Sequence, residues 1–259
     1  MSDTTILALC GKGGVGKTSV SALMLKLLSE GSGRKILAID ADPAVGPATA
    51  LGISIRKTVD DIRKDLIGNI RKGGISGNHE TLKRLDYEVF SALEEQDGYA
   101  LLAIGRPEDE GCFCKVNNLL KEIIQDLAGR FDIVLIDGEA GIEQINRRVM
   151  KAVDHLVLIS DTSAKGVNVA NTIAQVANEN RAVNFRSMGL VLNRVRSENE
   201  VRELCARTSL DVYGWLADDE HIRDFDFRGV PLSGIPENSP SLEKISSILN
   251  TMGIDRWRE

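Results

Sequence analysis

The chain has 259 residues, of which 42% are hydrophobic and 27% are charged, a composition typical of a soluble globular protein. The formal net charge of −6 argues against a protein that mainly holds nucleic acid or an anionic membrane, and we expect neither as a partner. The N-terminus has no basic secretory region, and no stretch reaches the ~18 apolar residues that span a bilayer, so we expect a cytoplasmic protein with reduced cysteines.

Short apolar runs alternate along the chain with longer amphipathic runs. In chain order, the patterns predict a strand at residues 6–10, a helix at 18–29, a strand at 35–40, helices over one end of the sheet within 52–98, a strand at 99–104, a helix at 116–127, strands at 131–137 and 155–160, a helix at 165–180, a strand at 189–192, a helix at 197–208, a strand at 211–216 and a helix at 241–252. Most strand segments are apolar throughout, which indicates burial on both faces. Because strand–helix alternation builds right-handed βαβ units, we predict an α/β fold with a doubly wound, mainly parallel sheet flanked by helices.

The first predicted strand is followed by a glycine-rich motif that opens the first predicted helix. This is the sequence pattern and the context of a phosphate-binding P-loop, because glycines let consecutive backbone N–H groups turn inward around a polyphosphate. Lys17 is expected to reach the β- and γ-phosphates of ATP, and the Thr18 hydroxyl to bind Mg²⁺. The residues predicted to contact ATP or ADP here are Gly11, Gly13, Gly14, Val15, Gly16, Lys17, Thr18 and Ser19.

Aspartates follow two of the predicted strands. Asp40 and Asp42 lie at the end of the strand at 35–40, and Asp137 ends the strand at 131–137. Ligands of doubly wound sheets bind at this carboxyl edge, where carboxylates can hold Mg²⁺ or orient the water that attacks the γ-phosphate. A single aspartate there is often only a turn former or a helix cap, but two such segments after a P-loop favour the functional interpretation.

Two closely spaced cysteines, Cys112 and Cys114, precede the helix predicted at 116–127. One chain offers two thiolates, whereas a closed tetrahedral site needs four ligands. A two-fold axis beside this loop would bring together four thiolates, which suit Zn²⁺, Ni²⁺, Cu⁺ or an iron–sulfur cluster. The alternative is a pair of partly buried residues without a chemical role, and this is the interpretation that we favour for Cys10 and Cys205, which lie in regular elements.

An additional lysine, Lys12, lies inside the P-loop and is not needed to hold the phosphates of its own site. The segment from Lys12 to Thr18 resembles the KGGxGK[ST] motif of the deviant-P-loop ATPases, the family of the nitrogenase iron protein, MinD, ParA and the metal-insertion ATPases. The resemblance covers nearly the whole chain and implies one deviant-Walker-A P-loop ATPase domain over residues 1–259. It implies that Lys12 reaches across an ATP-dependent homodimer to the partner's nucleotide. The alternative is a solvated surface lysine.

The same resemblance implies roles for the acidic segments. Residues 40–46 correspond to switch I, in which Asp40 contacts the nucleotide site and Asp42 positions the attacking water. Asp137 corresponds to the Walker B carboxylate, and Gly141 closes switch II over the γ-phosphate. With Lys12 and Lys17, the two aspartates Asp42 and Asp137 complete the set of expected catalytic residues.

The base is expected near the later strands. The segment ending in Asn193 and Arg194 resembles the family segment whose asparagine hydrogen-bonds adenine. A second family loop contacts the base, and the aligned residues are Ala217, Asp218 and Asp219. The proline typical of that loop is missing here, which makes contacts from these three residues less secure.

Three segments together resemble the CooC-type ATPases, which serve nickel insertion into carbon monoxide dehydrogenase; related proteins serve acetyl-CoA synthase. The segments are the P-loop, residues 111–118 and residues 137–143. The resemblance implies a homodimer that binds Ni²⁺ or Zn²⁺ at Cys112 and Cys114 and assists an apo nickel enzyme.

Other members of the family fit the sequence less well. A nitrogenase-type reductase carries a cluster cysteine in switch II, and residues 138–141 contain none. A membrane-bound MinD-like ATPase ends in a basic amphipathic helix, whereas residues 254–259 are few and charge-balanced. A ParA-like protein needs a basic surface for DNA, and the net charge of −6 argues against one. An iron–sulfur scaffold ATPase has a Cys-x-x-Cys pair late in the chain, and this sequence has none. A MinD/ParA-like switch that dimerises with ATP and delivers no metal remains the alternative.

Overall fold

The structure is a computed structural model that describes residues 4–30, 33–42, 46–72, 79–106, 114–138, 149–150, 152–180 and 184–254. Its strands are β1 (Thr5–Gly11), β2 (Ile36–Asp40), β3 (Glu94–Gln96), β4 (Tyr99–Ala103), β5 (Ile133–Asp137), β6 (Ala152–Ser160), β7 (Asn184–Val195) and β8 (Val212–Ala217). The helices of the described residues are α1 (Lys17–Ser29), α2 (Gly46–Leu51), α3 (Val59–Arg71), α4 (His79–Ser91), α5 (Cys114–Ala128), α6 (Ala164–Asn180), α7 (Glu198–Cys205), α8 (Glu220–Arg228) and α9 (Pro240–Thr251), with a short 3₁₀ helix at Leu232–Gly234.

The strands form one eight-stranded sheet in the order β3-β4-β2-β5-β1-β6-β7-β8. All neighbouring strands run parallel except β3 and β4. The strands β2, β5 and β1 are consecutive in this order, so their carboxyl ends lie side by side: Asp137 is in register with Asp40 on one side and with Leu9 on the other. The predicted doubly wound, mainly parallel α/β fold is confirmed.

Helices cover both faces of the sheet. Leu7 and Leu9 of β1 face a core that includes α1, α2 and α9, whereas Ala8 and Cys10 face a core that includes α3, α4, α5, α6 and α7. This alternation follows from the two-residue period of a strand. Each fully buried leucine or isoleucine stabilises the fold by about 1.5–3 kcal/mol relative to an exposed one. The two cores therefore hold the loops at the carboxyl edge of the sheet in place.

Three elements have no counterpart in the apolar pattern. The strand β3 reads Glu-Glu-Gln and pairs antiparallel with β4 at the edge of the sheet, so main-chain pairing, not an apolar run, forms it. The helices α2 and α8 are short, and α8 buries none of its side chains. The strand predicted at 189–192 is only the buried centre of β7, which begins with exposed and half-buried residues from Asn184 to Met188.

Helices within residues 52–98 are confirmed as α3 and α4. A capping box starts α3: the Thr58 hydroxyl accepts a hydrogen bond from the Asp61 N–H at 3.1 Å, and the Asp61 carboxylate accepts one from the Thr58 N–H at 2.9 Å. In the part of the chain that the structure describes, no helix combines the length and the apolar character needed to cross a membrane.

Candidate functional site

The residues between β1 and α1 form a tight loop at the carboxyl edge of the sheet. Gly14 and Gly16 have φ angles of 82° and 90°, in the left-handed region that favours glycine. Gly16 is also the N-cap residue of α1 and has no side chain that could occupy the N–H groups of the first helical turn. These N–H groups, together with the helix dipole, favour an anion. Val15, in the middle of the loop, is fully buried and fixes the loop to the core.

Lys17 begins α1, and its side chain extends back along the loop. Its Nζ donates to the carbonyl oxygens of Gly11 at 3.1 Å and Lys12 at 3.3 Å, and the side chain is buried. These two carbonyls fix the direction of the ammonium group. The glycine-rich loop thus lies between a strand and a helix as predicted, with the Lys17 side chain folded back along it, and Lys12 itself is half-buried.

Two buried carboxylates lie beside Thr18. The Thr18 hydroxyl donates to Oδ2 of Asp137 at 3.0 Å, and Asp40 lies next to Asp137 on the adjacent strand. The exposed fractions of Asp40 and Asp137 are 0% and 2%. Among the residues that the structure describes, Oδ2 of Asp40 and Oδ1 of Asp137 have no hydrogen-bond partner. Buried polar atoms are normally satisfied, so these two oxygens indicate a place for a cation.

Burial changes the protonation of both carboxyl groups. It raises the pKa of Asp40 to about 7, and the negative charge of Asp137 adds to the rise, while backbone N–H groups of Asp42 and Ala48 oppose it. Burial also raises the pKa of Asp137 to about 7, against the hydrogen bond from Thr18 and the charge of Lys17. A nearby cation favours the ionised form of a carboxyl group and would reverse these shifts.

Switch I is described in part, because residues 43–45 lie outside the described residues. The N–H of Asp42 donates to Oδ1 of Asp40 at 3.1 Å, and Asp42 is partly exposed. Gly46 then begins α2 directly beside Thr18: a Cβ added to Gly46 would lie 3.2 Å from the Thr18 hydroxyl. The structure therefore brings Thr18, Asp40, Asp42 and Asp137 together, as the sequence predicted, while the assigned roles remain predictions.

The end of β7 contacts the P-loop. Asn193 is buried, with Nδ2 donating to the carbonyl of Val15 at 2.8 Å. Arg194 is exposed and has a left-handed φ of 58°, and its Nη1 donates to the carbonyl of Gly14 at 3.1 Å. These contacts with the phosphate loop were not anticipated by the prediction that both residues contact the base.

A cleft opens beside this corner. Three elements form its walls: the first turns of α1, the end of β7, and the segment from the end of β8 into α8. Its lining residues are Ser19, Val20, Leu23, Asn193, Arg194, Leu216, Ala217, Asp218, Asp219, Ile222, Arg223 and Asp226. The cleft contains all the residues that the sequence assigned to the base, so their grouping is as predicted.

The Asp219 carboxylate in this cleft is hydrogen-bonded to other parts of the protein. Its Oδ1 caps α8 by accepting from the His221 N–H at 2.9 Å, and its Oδ2 accepts from the hydroxyls of Ser239 at 2.8 Å and Ser241 at 2.6 Å. Burial alone would raise the pKa of Asp219, but the hydrogen bonds from Ser241, Ser239 and the backbone together lower it. The carboxylate thus joins the start of α8 to the start of α9, which leaves the Asp219 backbone as the part most able to contact a base.

Sequence reasoning missed the α8 wall of this cleft, formed by Ile222, Arg223 and Asp226. The sequence does contain a local signal for helix α8: Asp219 is its N-cap residue, and Gly229, with a φ of 63°, is its C-cap residue. The side chains of Arg223 and Asp218 approach each other to 3.5 Å at the rim.

Two predicted sites, the switch II glycine and the cysteine pair, fall on residues or side chains outside the described part of the chain. Gly141 and Cys112 lie outside the described residues, and Cys114 begins α5 with its side chain outside them. Of the other cysteines, Cys10 is buried in β1, as expected for a structural residue, whereas Cys205 ends α7 and is exposed. Among the described residues, no three His, Cys, Asp or Glu side chains form a group that could hold a metal ion.

Known proteins resemble this chain over most of its length. An uncharacterized ATP-binding protein of Methanocaldococcus jannaschii is 38% identical over 245 residues, which cover 94% of this chain and 96% of the relative. The carbon monoxide dehydrogenase accessory protein CooC of Rhodospirillum rubrum is 28% identical, with 86% of this chain and 88% of CooC covered.

A solved structure has the same fold. The septum site-determining protein MinD of Pyrococcus horikoshii, complexed with Mg-ADP, superposes with a TM-score of 0.68 at 20% sequence identity, covering 98% of this chain and 96% of MinD. The model of the CobQ/CobB/MinD/ParA nucleotide binding domain matches residues 6–232, which include the P-loop, both carboxylate strands and the β7 corner. This chain therefore belongs to the CobQ/CobB/MinD/ParA nucleotide binding domain family.

Proposed function

We propose that this protein binds ATP with Mg²⁺ at the P-loop and hydrolyses it to ADP and phosphate. The observation that carries the proposal is the pair of buried carboxylates beside Thr18, each with an oxygen that has no partner among the described residues. Hydroxyl and carboxylate oxygens are the ligands that Mg²⁺ prefers, so the donor set fits the ion. Thr18, Asp137 and Asp40 would hold it, directly or through water. The bound ion would supply positive charge that offsets the charge on the β- and γ-phosphates.

The choice of ATP as the substrate rests on the P-loop and on the relatives. The Methanocaldococcus jannaschii protein that is 38% identical is described as ATP-binding. The cleft beside Asn193 lies next to the start of α1, where a nucleotide with its phosphates in the loop would extend its base.

The catalytic roles follow from position in the site. Lys17 binds the β- and γ-phosphate oxygens, and Asp42, partly exposed at the edge of switch I, orients the attacking water. Lys12 reaches the nucleotide of a second copy of the chain, so that ATP stabilises a homodimer. Gly141 closes switch II over the γ-phosphate. The half-burial of Lys12 within the loop is compatible with a side chain that leaves its own site.

Nucleotide titration of two lysine variants of α1 tests the proposal. Lys17→Ala removes the loop ammonium and is expected to abolish ATP binding. Lys26→Ala lies on the same helix and removes the same charge. It breaks an ion pair with Glu30 at 2.6 Å and a hydrogen bond to the Ser233 carbonyl at 3.0 Å, neither of which involves the P-loop, so it serves as the matched control. Failure of the wild-type protein to bind ATP, or equal binding by Lys17→Ala and wild type, would contradict the proposal.

We propose further that the ATP-dependent dimer holds a metal ion, Ni²⁺ or Zn²⁺, at Cys112 and Cys114, and assists an apo nickel enzyme such as carbon monoxide dehydrogenase or acetyl-CoA synthase. Support comes from the Cys-x-Cys spacing and from the similarity to CooC of Rhodospirillum rubrum, a carbon monoxide dehydrogenase accessory protein. Thiolates from two chains would complete a four-sulfur site, which fits either ion.

Equilibrium metal titration tests this second step. The wild-type protein is expected to bind one Ni²⁺ or Zn²⁺ ion tightly per two chains, and the double variant Cys112→Ser/Cys114→Ser to bind none. Cys205→Ser removes an exposed thiol elsewhere and is the matched control. An unchanged stoichiometry in the double variant would rule out the cysteine site.

The alternative is an ATP-driven dimerisation switch that delivers no metal, favoured by the fold similarity to MinD of Pyrococcus horikoshii over 98% of the chain. The two functions differ in one measurement. A wild-type dimer that hydrolyses ATP but binds neither Ni²⁺ nor Zn²⁺ would support the switch.

A further inference from the structure

The carbonyl groups of the P-loop need hydrogen-bond donors. A loop that binds phosphate through inward N–H groups turns several carbonyls away from the ligand, and a carbonyl without a donor is costly when buried. Two adjacent residues at the end of β7 provide donors: Asn193 to the buried Val15 carbonyl at 2.8 Å, and Arg194 to the exposed Gly14 carbonyl at 3.1 Å. Both bonds cross about 180 residues of sequence.

The orientation of the Asn193 amide is fixed by two bonds of opposite polarity. Its Nδ2 donates to the Val15 carbonyl, and its Oδ1 accepts from the Arg194 N–H at 2.9 Å. A flipped amide would place an acceptor against a carbonyl and a donor against an N–H, so only one orientation satisfies both. The side chain is buried, and a Cβ added to Gly16 would lie 2.3 Å from Nδ2. The Asn193 amide thus packs directly against the P-loop at Gly16.

Arg194 reaches the loop because of an uncommon backbone conformation. Its φ of 58° is the only positive φ of a non-glycine residue in the described part of the chain. This conformation is unfavourable for a side chain with a Cβ, so the rest of the structure must stabilise it. The side chain is exposed and donates to the Gly14 carbonyl, so it is not part of the hydrophobic core.

We infer that Asn193 and Arg194 are positioning residues that hold the P-loop in its phosphate-binding shape, apart from any contact that they make with the base. The inference rests on the proposed function, because it concerns how the same site binds ATP. A residue that only contacts the base contributes nothing to the binding of a polyphosphate without a base. A residue that shapes the loop contributes equally to the binding of that polyphosphate and of ATP.

Binding of Mg²⁺-tripolyphosphate and Mg²⁺-ATP, measured by calorimetric titration, separates the two roles. The variants are Asn193→Ala, which removes the amide, and Arg194→Ala, which removes only an exposed side chain and should fold normally. The control is Arg196→Ala, an exposed arginine two residues further along. Asn193→Ala is expected to lower the affinity for both ligands by a similar factor of about 10, the effect of a lost hydrogen bond to the buried Val15 carbonyl. Arg194→Ala is expected to lower both affinities by a smaller but again similar factor of about 3, because its bond to the Gly14 carbonyl is exposed. The control should leave both affinities unchanged.

The opposite pattern overturns the inference: ATP binding weakened and tripolyphosphate binding retained would make these residues base contacts only. Arg194→Lys adds a second measurement, since its ammonium group keeps the charge and can still donate a hydrogen bond, and it should recover part of the tripolyphosphate affinity lost in Arg194→Ala. Wild-type protein that binds tripolyphosphate but not ATP would contradict the proposed ATPase, while the variants would still be compared on tripolyphosphate.

Discussion

The buried Asp40–Asp137 pair makes the stability of the metal-free protein depend on pH, and Asp40→Asn should reveal this. The pKa of Asp40 is raised from 3.8 to about 7 in the folded protein, mainly by burial. Between these values the folded state holds a proton that the unfolded state has released, so the stability contribution of the group is lost as the pH rises from about 4 to 7. An asparagine has no proton to lose, while its carbonyl oxygen can still accept the hydrogen bond from the Asp42 N–H.

The size of the effect follows from the shift. At 1.36 kcal/mol per pKa unit, ionisation of Asp40 lowers the free energy of unfolding by about 4 kcal/mol at pH 8 and about 1 kcal/mol at pH 4.5, relative to low pH. The first value is a ceiling, because the charge of Asp137 contributes to the shift and the two groups share it. Relative to wild type, Asp40→Asn should therefore raise the melting temperature at pH 8 by roughly 5–10 °C and change it by ~2 °C at pH 4.5.

The measurement is thermal unfolding in EDTA at both pH values. Asp97→Asn is the matched control: Asp97 is exposed in the turn between β3 and β4, and the change should have little effect at either pH. Adding Mg²⁺ at pH 8 should stabilise the wild-type protein more than Asp40→Asn, because an ion that binds only the folded state shifts unfolding by mass action. An equal shift of melting temperature at pH 4.5 and pH 8 would refute the reasoning that a buried charge is the cause.

Three further predictions test other parts of the molecule. Lys12→Ala should remain a monomer in the presence of a non-hydrolysable ATP analogue that makes the wild type a dimer, as measured by light scattering; equal masses would contradict the role of Lys12. Asp42→Asn should bind ATP with wild-type affinity but release phosphate at least 100-fold more slowly if it orients the water, and a native rate would exclude that role. Arg63→Ala should destabilise the protein by about 3 kcal/mol in urea unfolding, because it removes one of the two cations beside the buried Asp60 carboxylate, at 3.3 Å, and the bond to Asn117 at 2.9 Å. Asp60 keeps Lys64 at 3.3 Å, so a loss above about 5 kcal/mol would mean that more than this ion pair is broken.

The fold was predictable where burial dictates sequence. The strands β1, β2, β4, β5 and β6 are apolar because helices cover both faces of the sheet, and each was predicted within a few residues. The strand β3 could not be predicted in this way. It lies at the edge, carries Glu-Glu-Gln, and is held by pairing with β4 and by the contact of Glu94 with Arg56 at 2.9 Å. Neither contact leaves a local pattern in the sequence.

The candidate site was predictable where its residues lie in short, recognisable stretches of the sequence. The P-loop is eight consecutive residues, and Asp40 and Asp137 are recognisable because each ends an apolar strand. Their adjacency follows from strand order alone, once β2 and β5 are known to be neighbours. The orphaned carboxylate oxygens and the raised pKa values do not follow from strand order, since they depend on how completely water is excluded at that edge.

The hydrogen-bond partners of Asn193 and Asp219 could not be predicted from the sequence. In both, the residue type indicates a hydrogen-bonding role, but the partner is distant in sequence: Asn193 binds the Val15 carbonyl 178 positions away, and Asp219 binds Ser239 and Ser241 about 20 positions away. A resemblance to a family assigns such residues to the ligand, because alignments record which positions recur and not which atoms are already occupied. The occupied atoms decide what remains for the ligand. At Asp219 both carboxylate oxygens are engaged within the protein, whereas the Asn193 amide has two N–H donors and can brace the loop while it contacts a base.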